Sequence, residues 1–186
     1  VLVRDIPQII KKHYTAPACV MSITDYAARN YTLMRLALQH RDVTLWATAN
    51  PSTILELLRT LNENTEEMIQ DIEYGTISDL FEIPYYIREE LDAYVSPKPE
   101  RAAELRQILQ EKGKLEPRDF WPWLQYLSTW KCGNTKIYMD KYMDQFDWDK
   151  TFYQELGYIA TECRFGFSLD DTNESVLFPQ FHYYEF

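Results

Sequence analysis

An α/β fold, a mostly parallel sheet with flanking helices, is the class this sequence predicts, and three observations predict it. Short β-rich runs at residues 43–47, 128–132 and 156–160 alternate with longer stretches whose apolar residues recur three and four positions apart. Helix punctuation stands at the ends of those stretches, with Pro51 and Pro99 at starts and Gly75 and Gly113 at stops. The 186 residues are 46% apolar, enough to bury one core. The chain therefore reads as one domain or subdomain over residues 1–186, truncated at both ends, with a helical insertion at residues 78–118.

Residues 5–13 carry Ile6, Ile9 and Ile10 at helical spacing and close on Lys11, Lys12 and His13, cations that complement a helix C-terminus. Ala16-Pro17-Ala18 breaks this helix. A longer one is expected from Thr24 or Asp25 to His40, with Tyr26, Tyr31, Met34 and Leu38 as its apolar stripe. The run 43–47 is short enough for a buried strand, and Asn50-Pro51-Ser52 starts a helix through Leu61. The next helix, 66–72, stops at Gly75. Residues 78–99 are irregular, punctuated by Pro84, Pro97 and Pro99 around a short helix at 87–94. A charged surface helix at 101–112 presents Leu105, Ile108 and Leu109 as a narrow apolar face. The tract Phe120-Trp121-Pro122-Trp123-Leu124 reads as core packing, with an aromatic ligand platform as the alternative. A strand at 128–132, a tight turn at Gly133, a helix at 135–146 and a parallel strand at 156–160 follow. Residues 176–178 and 182–186 form a final pair of strands.

The net charge of −10 argues against nucleic acid as a partner, because displacing counterions from a phosphate backbone needs a basic surface. It equally disfavours anionic membranes. No apolar run approaches the ~18–20 residues needed to span a bilayer, and no signal peptide is visible. Cys19, Cys132 and Cys163 are odd in number and lack C-x-x-C spacing, and His13, His40 and His182 are scattered. This disfavours a zinc site or a disulfide scaffold and suits a reducing cytoplasm. No Gly-x-Ser-x-Gly elbow occurs. The five glycines, at 75, 113, 133, 157 and 166, are too few and too dispersed for a glycine-rich phosphate loop.

The chemistry-bearing signature lies in the last thirty residues: Gly157-Tyr158-Ile159-Ala160-Thr161-Glu162-Cys163-Arg164-Phe165-Gly166, then Phe178-Pro179-Gln180-Phe181-His182-Tyr183-Tyr184-Glu185-Phe186. The strand-like run 156–160 delivers a hydroxyl and a carboxylate at its end, where open α/β sheets place ligands. On that reading Thr161 contacts a phosphate, Glu162 holds a magnesium ion and Tyr158 covers a base. One or two carboxylates plus the substrate's phosphates suffice for magnesium. The alternative is a helix N-cap followed by an acidic first turn. Thr48-Ala49-Asn50, at the end of run 43–47, carries the same pair of readings, ligand contact or helix cap.

Four segments between Tyr31 and Phe186 resemble the auxin-responsive Gretchen-Hagen-three family of acyl-acid amido synthetases, members of the adenylate-forming superfamily. They are Leu36 to Val43 continuing through Trp46-Ala47-Thr48-Ala49-Asn50-Pro51-Ser52; Ile69 to Thr76, similar to the family's DI-x-x-G-T turn; Trp130-Lys131-Cys132-Gly133-Asn134 to Tyr138; and the signature just quoted. Cys132 and Asn134 depart from the family's usual Thr and Ser.

The resemblance implies part of the large N-terminal domain of an adenylate-forming enzyme that uses ATP and magnesium. In such an enzyme a carboxylic acid attacks the α-phosphate of ATP to give an acyl-adenylate and pyrophosphate, and an amino acid amine then takes the acyl group to form an amide, releasing AMP. By the same resemblance Glu162 holds the metal, and Thr161 hydrogen-bonds the α-phosphate. Tyr158 with the backbone of Ile159 and Ala160 brackets the adenine, and Tyr183 closes the far side. Cys132, Gly133 and Asn134, with Trp46 and Thr48, shape the acyl pocket. The family's Ser/Thr/Gly-rich phosphate loop, its Tyr-Arg-x-Gly-Asp ribose motif and its C-terminal lid domain have no counterpart in this sequence. The expectation is therefore an internal fragment of the enzyme, inactive alone. A non-catalytic acyl- or nucleotide-binding module and a purely structural subdomain are the alternatives.

Overall fold

The structure, a computed structural model, describes residues 7–160, 163–170, 172, 174–181, 183 and 184. These residues divide into two compact units. One takes in residues up to Arg41 and Glu56–Phe120 and is helical; the other takes in Asp42–Leu55 and the residues from Trp121 onward and carries the strands.

In the helical unit, α1 (Gln8–Lys11) and a 3-10 turn at Ala18–Ser22 precede α2 (Tyr26–Leu38). The Asp25 carboxylate caps α2 by accepting the Ala28 N–H at 2.7 Å, satisfying one of the donors a helix start leaves open. α3 (Pro51–Glu63) crosses from one unit into the other, and α4 (Thr65–Tyr74), α5 (Tyr85–Leu91), α6 (Pro99–Lys112) and α7 (Pro117–Phe120) complete the helices here. α4 packs on α6, burying Met68, Ile69 and Ile72 on one helix and Ala102 and Leu105 on the other. A second apolar cluster joins Val20, Ile23, Ala28 and Leu36 to Ile83, Ile87 and Leu91.

A buried polar network ties α2 to the end of α4. Arg35 is fully buried, and its guanidinium donates to the Thr76 carbonyl (2.8 Å), the Asp71 carbonyl (2.8 Å) and Gln39 Oε1 (2.6 Å). The Asp71 carboxylate accepts from the Tyr31 hydroxyl (2.6 Å), the Thr76 hydroxyl (2.6 Å) and the Ser78 N–H (2.7 Å). Burial, and then the Asp71 hydrogen bond, push the Tyr31 phenol up, while burial pulls the Arg35 guanidinium down to about 10 against the opposing charges of Asp71 and Tyr31. The turn that supplies Thr76 needs Gly75, which sits at φ 72 and against the Ser96–Pro97 backbone, where a Cβ would collide. A second set of ions, of which only Arg101 is buried, lies at the start of α6. Arg101 donates to the Leu38 carbonyl (3.0 Å), the Phe120 carbonyl (2.7 Å) and Glu104 (2.7 Å), and Glu104 also accepts from Arg41 (2.7 Å).

The second unit is built on a three-stranded parallel sheet in the order β1 (Leu45–Ala47), β2 (Tyr126–Thr129), β3 (Phe152–Glu155). Leu45, Tyr126 and Phe152 share one register position, and Ala47, Ser128 and Gln154 another. Between β2 and β3 lie a 3-10 turn at Gly133–Thr135, the one-turn helix α8 (Lys136–Met139) and a further 3-10 turn at Met143–Gln145. A two-stranded antiparallel ribbon, β4 (Gly166–Phe167) with β5 (Val176–Leu177), follows. Trp46 packs edge-on against Trp121 at 5.2 Å and beside Phe146 at 6.1 Å, and Phe146 continues the cluster to Trp148. In the tract read as core packing, Trp121 and Leu124 are indeed buried, and Trp123 is 57% exposed.

Five expected elements are corrected. The helix at 5–13 is only Gln8–Lys11 among the described residues. The strand at 128–132 is Tyr126–Thr129: its register starts opposite Leu45 and Phe152, and its last pair is Thr129 with Glu155 of β3. The strand at 156–160 is Phe152–Glu155: the last rung is Leu156 N–H to the Thr129 carbonyl, after which Gly157, at φ 90, turns the chain out of the sheet. The helix at 135–146 breaks into α8 and a 3-10 turn, which lets Tyr142 and Phe146 both bury their rings. Of the strand at 182–186, Tyr183 and Tyr184 are described and lie outside any strand, while His182, Glu185 and Phe186 fall outside the described residues.

Two outcomes are expected of the helical unit. Asp71→Ala leaves the Tyr31 hydroxyl, the Thr76 hydroxyl and the Ser78 N–H without their acceptor and removes the carboxylate charge near the buried Arg35, and should lower stability by about 3–5 kcal/mol, against about 1–2 kcal/mol for Tyr31→Phe, in urea unfolding followed by circular dichroism. An Asp71→Ala loss no larger than that of Tyr31→Phe would contradict the network's role. Desolvation raises the carboxyls of Glu104 and Glu116, but the hydrogen bonds and charges of Arg41 and Arg101 on Glu104, and of Lys114 and Arg118 on Glu116, hold both below the ordinary 4.5. A folded value below the unfolded one gives stability that is present above about pH 4.5 and lost as pH falls through the folded value. Glu104→Gln should therefore cost about 1 kcal/mol at neutral pH and progressively less as pH falls below about 4.5, as thermal melts across that range will report.

Candidate ligand cleft

β2 and β3 run side by side and part at their C-terminal ends, and the open space between them is a cleft of about 290 Å³. Trp130, Cys132 and Thr135 line it from the chain after β2; Glu155, Gly157, Tyr158 and Ile159 line it from the end of β3 onward, with Ser175 beyond. The first rung past β2 still follows β1, since the Trp130 N–H donates to the Ala49 carbonyl at 3.1 Å. The next does not. The Lys131 N–H donates instead to Glu155 Oε2 at 2.6 Å, and the Gly157 N–H donates to Glu155 Oε1 at 3.0 Å. On the other side the Trp130 indole N–H donates to the Gly157 carbonyl at 3.2 Å. The Lys131 ammonium donates to the Tyr153 carbonyl at 3.2 Å and lies over the Tyr153 ring. Partial desolvation, then the charge and hydrogen bond of Glu155, push the Cys132 thiol up, away from the thiolate a nucleophile requires.

Beyond Gly157, Tyr158 stacks on Phe165 with ring centroids 4.9 Å apart and stays 55% exposed. Ile159 bridges to Arg164, and the Ala160 N–H donates to the Cys163 carbonyl at 3.0 Å. The Tyr184 hydroxyl donates to the Phe165 carbonyl at 2.6 Å, fixing the strip on which Tyr158 stacks.

The cleft thus brings together three of the residues singled out in the sequence, Cys132, Tyr158 and Ile159. Gly133 is exposed, at φ 69, in the turn that follows Cys132, and Asn134 occupies the next position of the same turn. Thr48 lies past the end of β1, its N–H on the Ser128 carbonyl at 3.0 Å, and Trp46 belongs to the aromatic cluster rather than to the cleft lining. Ala160 is exposed, and Tyr183 is 90% exposed; neither lines the cleft. Thr161 and Glu162 lie outside the described residues. Glu155 and Trp130 were not singled out as chemistry-bearing; the available signal for Glu155 was a carboxylate at the end of a run rich in β-forming aromatics, Phe152 and Tyr153. Among the described residues, no group of three His, Cys, Asp or Glu could hold a metal ion, and no helix is long and apolar enough to cross a membrane. A second cavity, about 260 Å³, lies in the helical unit beside Thr76, but the Arg88 guanidinium at its wall is committed to the carbonyls of Ile77, Ser78 and Phe81.

A parallel sheet with flanking helices places the chain in the α/β class. The sequence matches the GH3 family N-terminal domain over residues 2–150, and the chain belongs to that family. The match takes in Trp46, Thr48 and Cys132 to Asn134, whereas Tyr158 to Glu162 and Tyr183 lie beyond it. Among solved structures the fold is similar to a GH3.15 acyl acid amido synthetase, at 20% identity and a TM-score of 0.68, covering 82% of this chain and 28% of that one. It is also similar to the AtGH3.15 acyl acid amido synthetase in complex with 2,4-DB, at 21% identity and a TM-score of 0.64, covering 77% of this chain and 25% of that one. The chain thus spans about a quarter of the length of these structures. No curated protein matches it.

Gly157 is the residue on which the cleft wall turns. A Cβ at this position would lie 2.5 Å from the Phe167 Cα and 2.7 Å from the Gly166 carbonyl oxygen, with φ at 90. Gly157→Ala is expected to cost about 1–3 kcal/mol and to displace Tyr158. Thermal melting, with quenching of the Tyr158–Phe165 contacts read by NMR, checks both; an unshifted spectrum would contradict this account of the turn.

Proposed function

We propose that this chain forms part of the ligand-binding half of an ATP-dependent acyl-acid amido synthetase, which activates a small carboxylic acid and transfers it to an amino acid amine. The observation that carries the reading is the convergence of Cys132, Tyr158 and Ile159 on one cleft at the parting strand ends of a GH3 family domain. The chemistry of the cleft suits a planar base and an apolar acid: a half-exposed tyrosine ring on a stacked aromatic strip, an indole edge and backbone groups.

ATP, when bound, supplies the adenylyl group that activates the carboxylate, with pyrophosphate as the leaving group. The chain's own residues bind and orient. Tyr158 covers the adenine, with the backbone of Ile159 at its edge. Thr161 donates to the α-phosphate. Glu162 holds magnesium, for which a single carboxylate with the nucleotide's phosphates is sufficient. Cys132, on the cleft wall, faces the acyl group, with Gly133 and Asn134 in the turn that follows it, while Trp46 and Thr48 lie outside the cleft lining. The reducing cytoplasm belongs to the same reading.

Calorimetric titration of the chain with ATP, with and without magnesium, tests this. Binding is expected to depend on magnesium, to weaken about tenfold in Tyr158→Ala and to lose its magnesium dependence in Glu162→Gln. Binding indifferent to magnesium and to both substitutions, or no binding at all, would rule out a nucleotide half-site on this chain.

A further inference from the structure

The parallel ladder between β2 and β3 ends at the Leu156 N–H on the Thr129 carbonyl, and the two chains then separate to form the cleft. Backbone donors at such a point lose their ladder partners and must be paired some other way. Two of them, the N–H groups of Lys131 and Gly157, converge on one side chain. Glu155 is 4% exposed, and its Oε2 accepts from Lys131 at 2.6 Å while its Oε1 accepts from Gly157 at 3.0 Å. One carboxylate therefore spans the gap between the strand ends, with a separate oxygen for each. The Trp130 indole, donating to the Gly157 carbonyl at 3.2 Å, closes the same gap from the opposite strand.

The residues immediately beyond these anchors are those that line the cleft. Cys132 follows Lys131, and Tyr158 follows Gly157. A shift of either anchored amide moves one wall relative to the other. Hydrogen bonds from backbone N–H to a carboxylate are among the stronger ones a protein makes, and burial deprives both partners of water as a substitute.

We infer that Glu155 is a positioning residue: it clamps the Cys132 wall to the Tyr158 wall and so sets the width of the cleft on which ligand binding depends. This rests on the reading of the cleft as a ligand site. Glutamine is the informative replacement, because it keeps the shape and one acceptor oxygen but presents an NH₂ where the second oxygen stood. One of the two backbone N–H groups then has no acceptor.

The test compares the full chain with Glu155→Gln and Glu155→Asp by residue-resolved amide hydrogen exchange, thermal melting, and calorimetric titration with magnesium ATP and with benzoate as an aryl carboxylate probe. In Glu155→Gln the Lys131 or Gly157 amide should exchange at least about tenfold faster, while the amides inside the β2–β3 ladder keep their protection. Affinity for at least one probe should fall about tenfold. Glu155→Asp, which retains both oxygens on a shorter arm, should fall between the two. Three outcomes overturn the inference, each in a different way. Unchanged exchange and affinity in Glu155→Gln, with a wild type that binds, removes the positioning role and leaves the ligand site standing. Loss of protection throughout the ladder, with a matching fall in melting temperature, makes Glu155 a structural residue only. A wild type that binds neither probe removes the ligand site, and the positioning role falls with it.

Discussion

Parallel strands cannot be joined by a tight turn, so the ladder running from Leu45, Tyr126 and Phe152 toward Thr129 and Glu155 obliges the chain to leave the sheet after each strand and return to its start. Between β1 and β2 the excursion is residues 48–125, which carry α3 to α7; between β2 and β3 it is a short run of single helical turns. Both excursions begin at the same edge. Because every strand points the same way, the chain ends that diverge there are the C-terminal ones, and the cleft lies where β2 and β3 part. Its location is a consequence of strand direction before any side chain is considered.

The same demand, that a buried polar group find a partner, organises both units. In the helical unit Arg35 is fully buried on α2, and the carbonyls of Asp71 and Thr76 are its acceptors. The Asp71 carboxylate in turn takes the hydroxyls of Tyr31 and Thr76 and the Ser78 amide. An apolar contact would tolerate sliding of α2 along α4, but an arginine aimed at two particular carbonyls does not. Whether such a pair adds net stability over a well-packed apolar one is a separate matter from what its disruption costs. Its effect on register is the clearer of the two. In the strand-bearing unit Glu155 answers the same demand for amides that the ladder leaves behind.

What the sequence made legible follows the range of the forces involved. α2, α3, α4 and α6 were readable because periodicity, proline at starts and glycine at stops are local signals, and their bounds agree within a few residues with those expected. The DI-x-x-G-T stretch was readable as a turn, and Gly75 at φ 72 makes it one, but its part in holding Arg35 depends on a residue some forty positions away. β2 and β3 were displaced in the expectation for the same reason. The apolar run 156–160 has the composition of a strand, yet register with β2 selects Phe152–Glu155, and Gly157 ends the pairing. Of the residues that line the cleft, Cys132, Tyr158 and Ile159 lie in motifs visible in the sequence. Glu155 was not, because a carboxylate in a strand carries no mark of the two amides it will meet.

That commitment of Glu155 also separates two roles that a carboxylate in a cleft could be thought to combine. Each of its oxygens already accepts a backbone N–H, at 2.6 and 3.0 Å, and the Cys132 thiol faces it as well. A divalent cation coordinates through oxygen lone pairs and would have to compete with these donors, whose loss would leave two amides unpaired at the point where the strands part. Metal binding at Glu155 would thus loosen the walls that a ligand needs held. The residue that shapes the cleft is then a different residue from the one proposed to hold the ion.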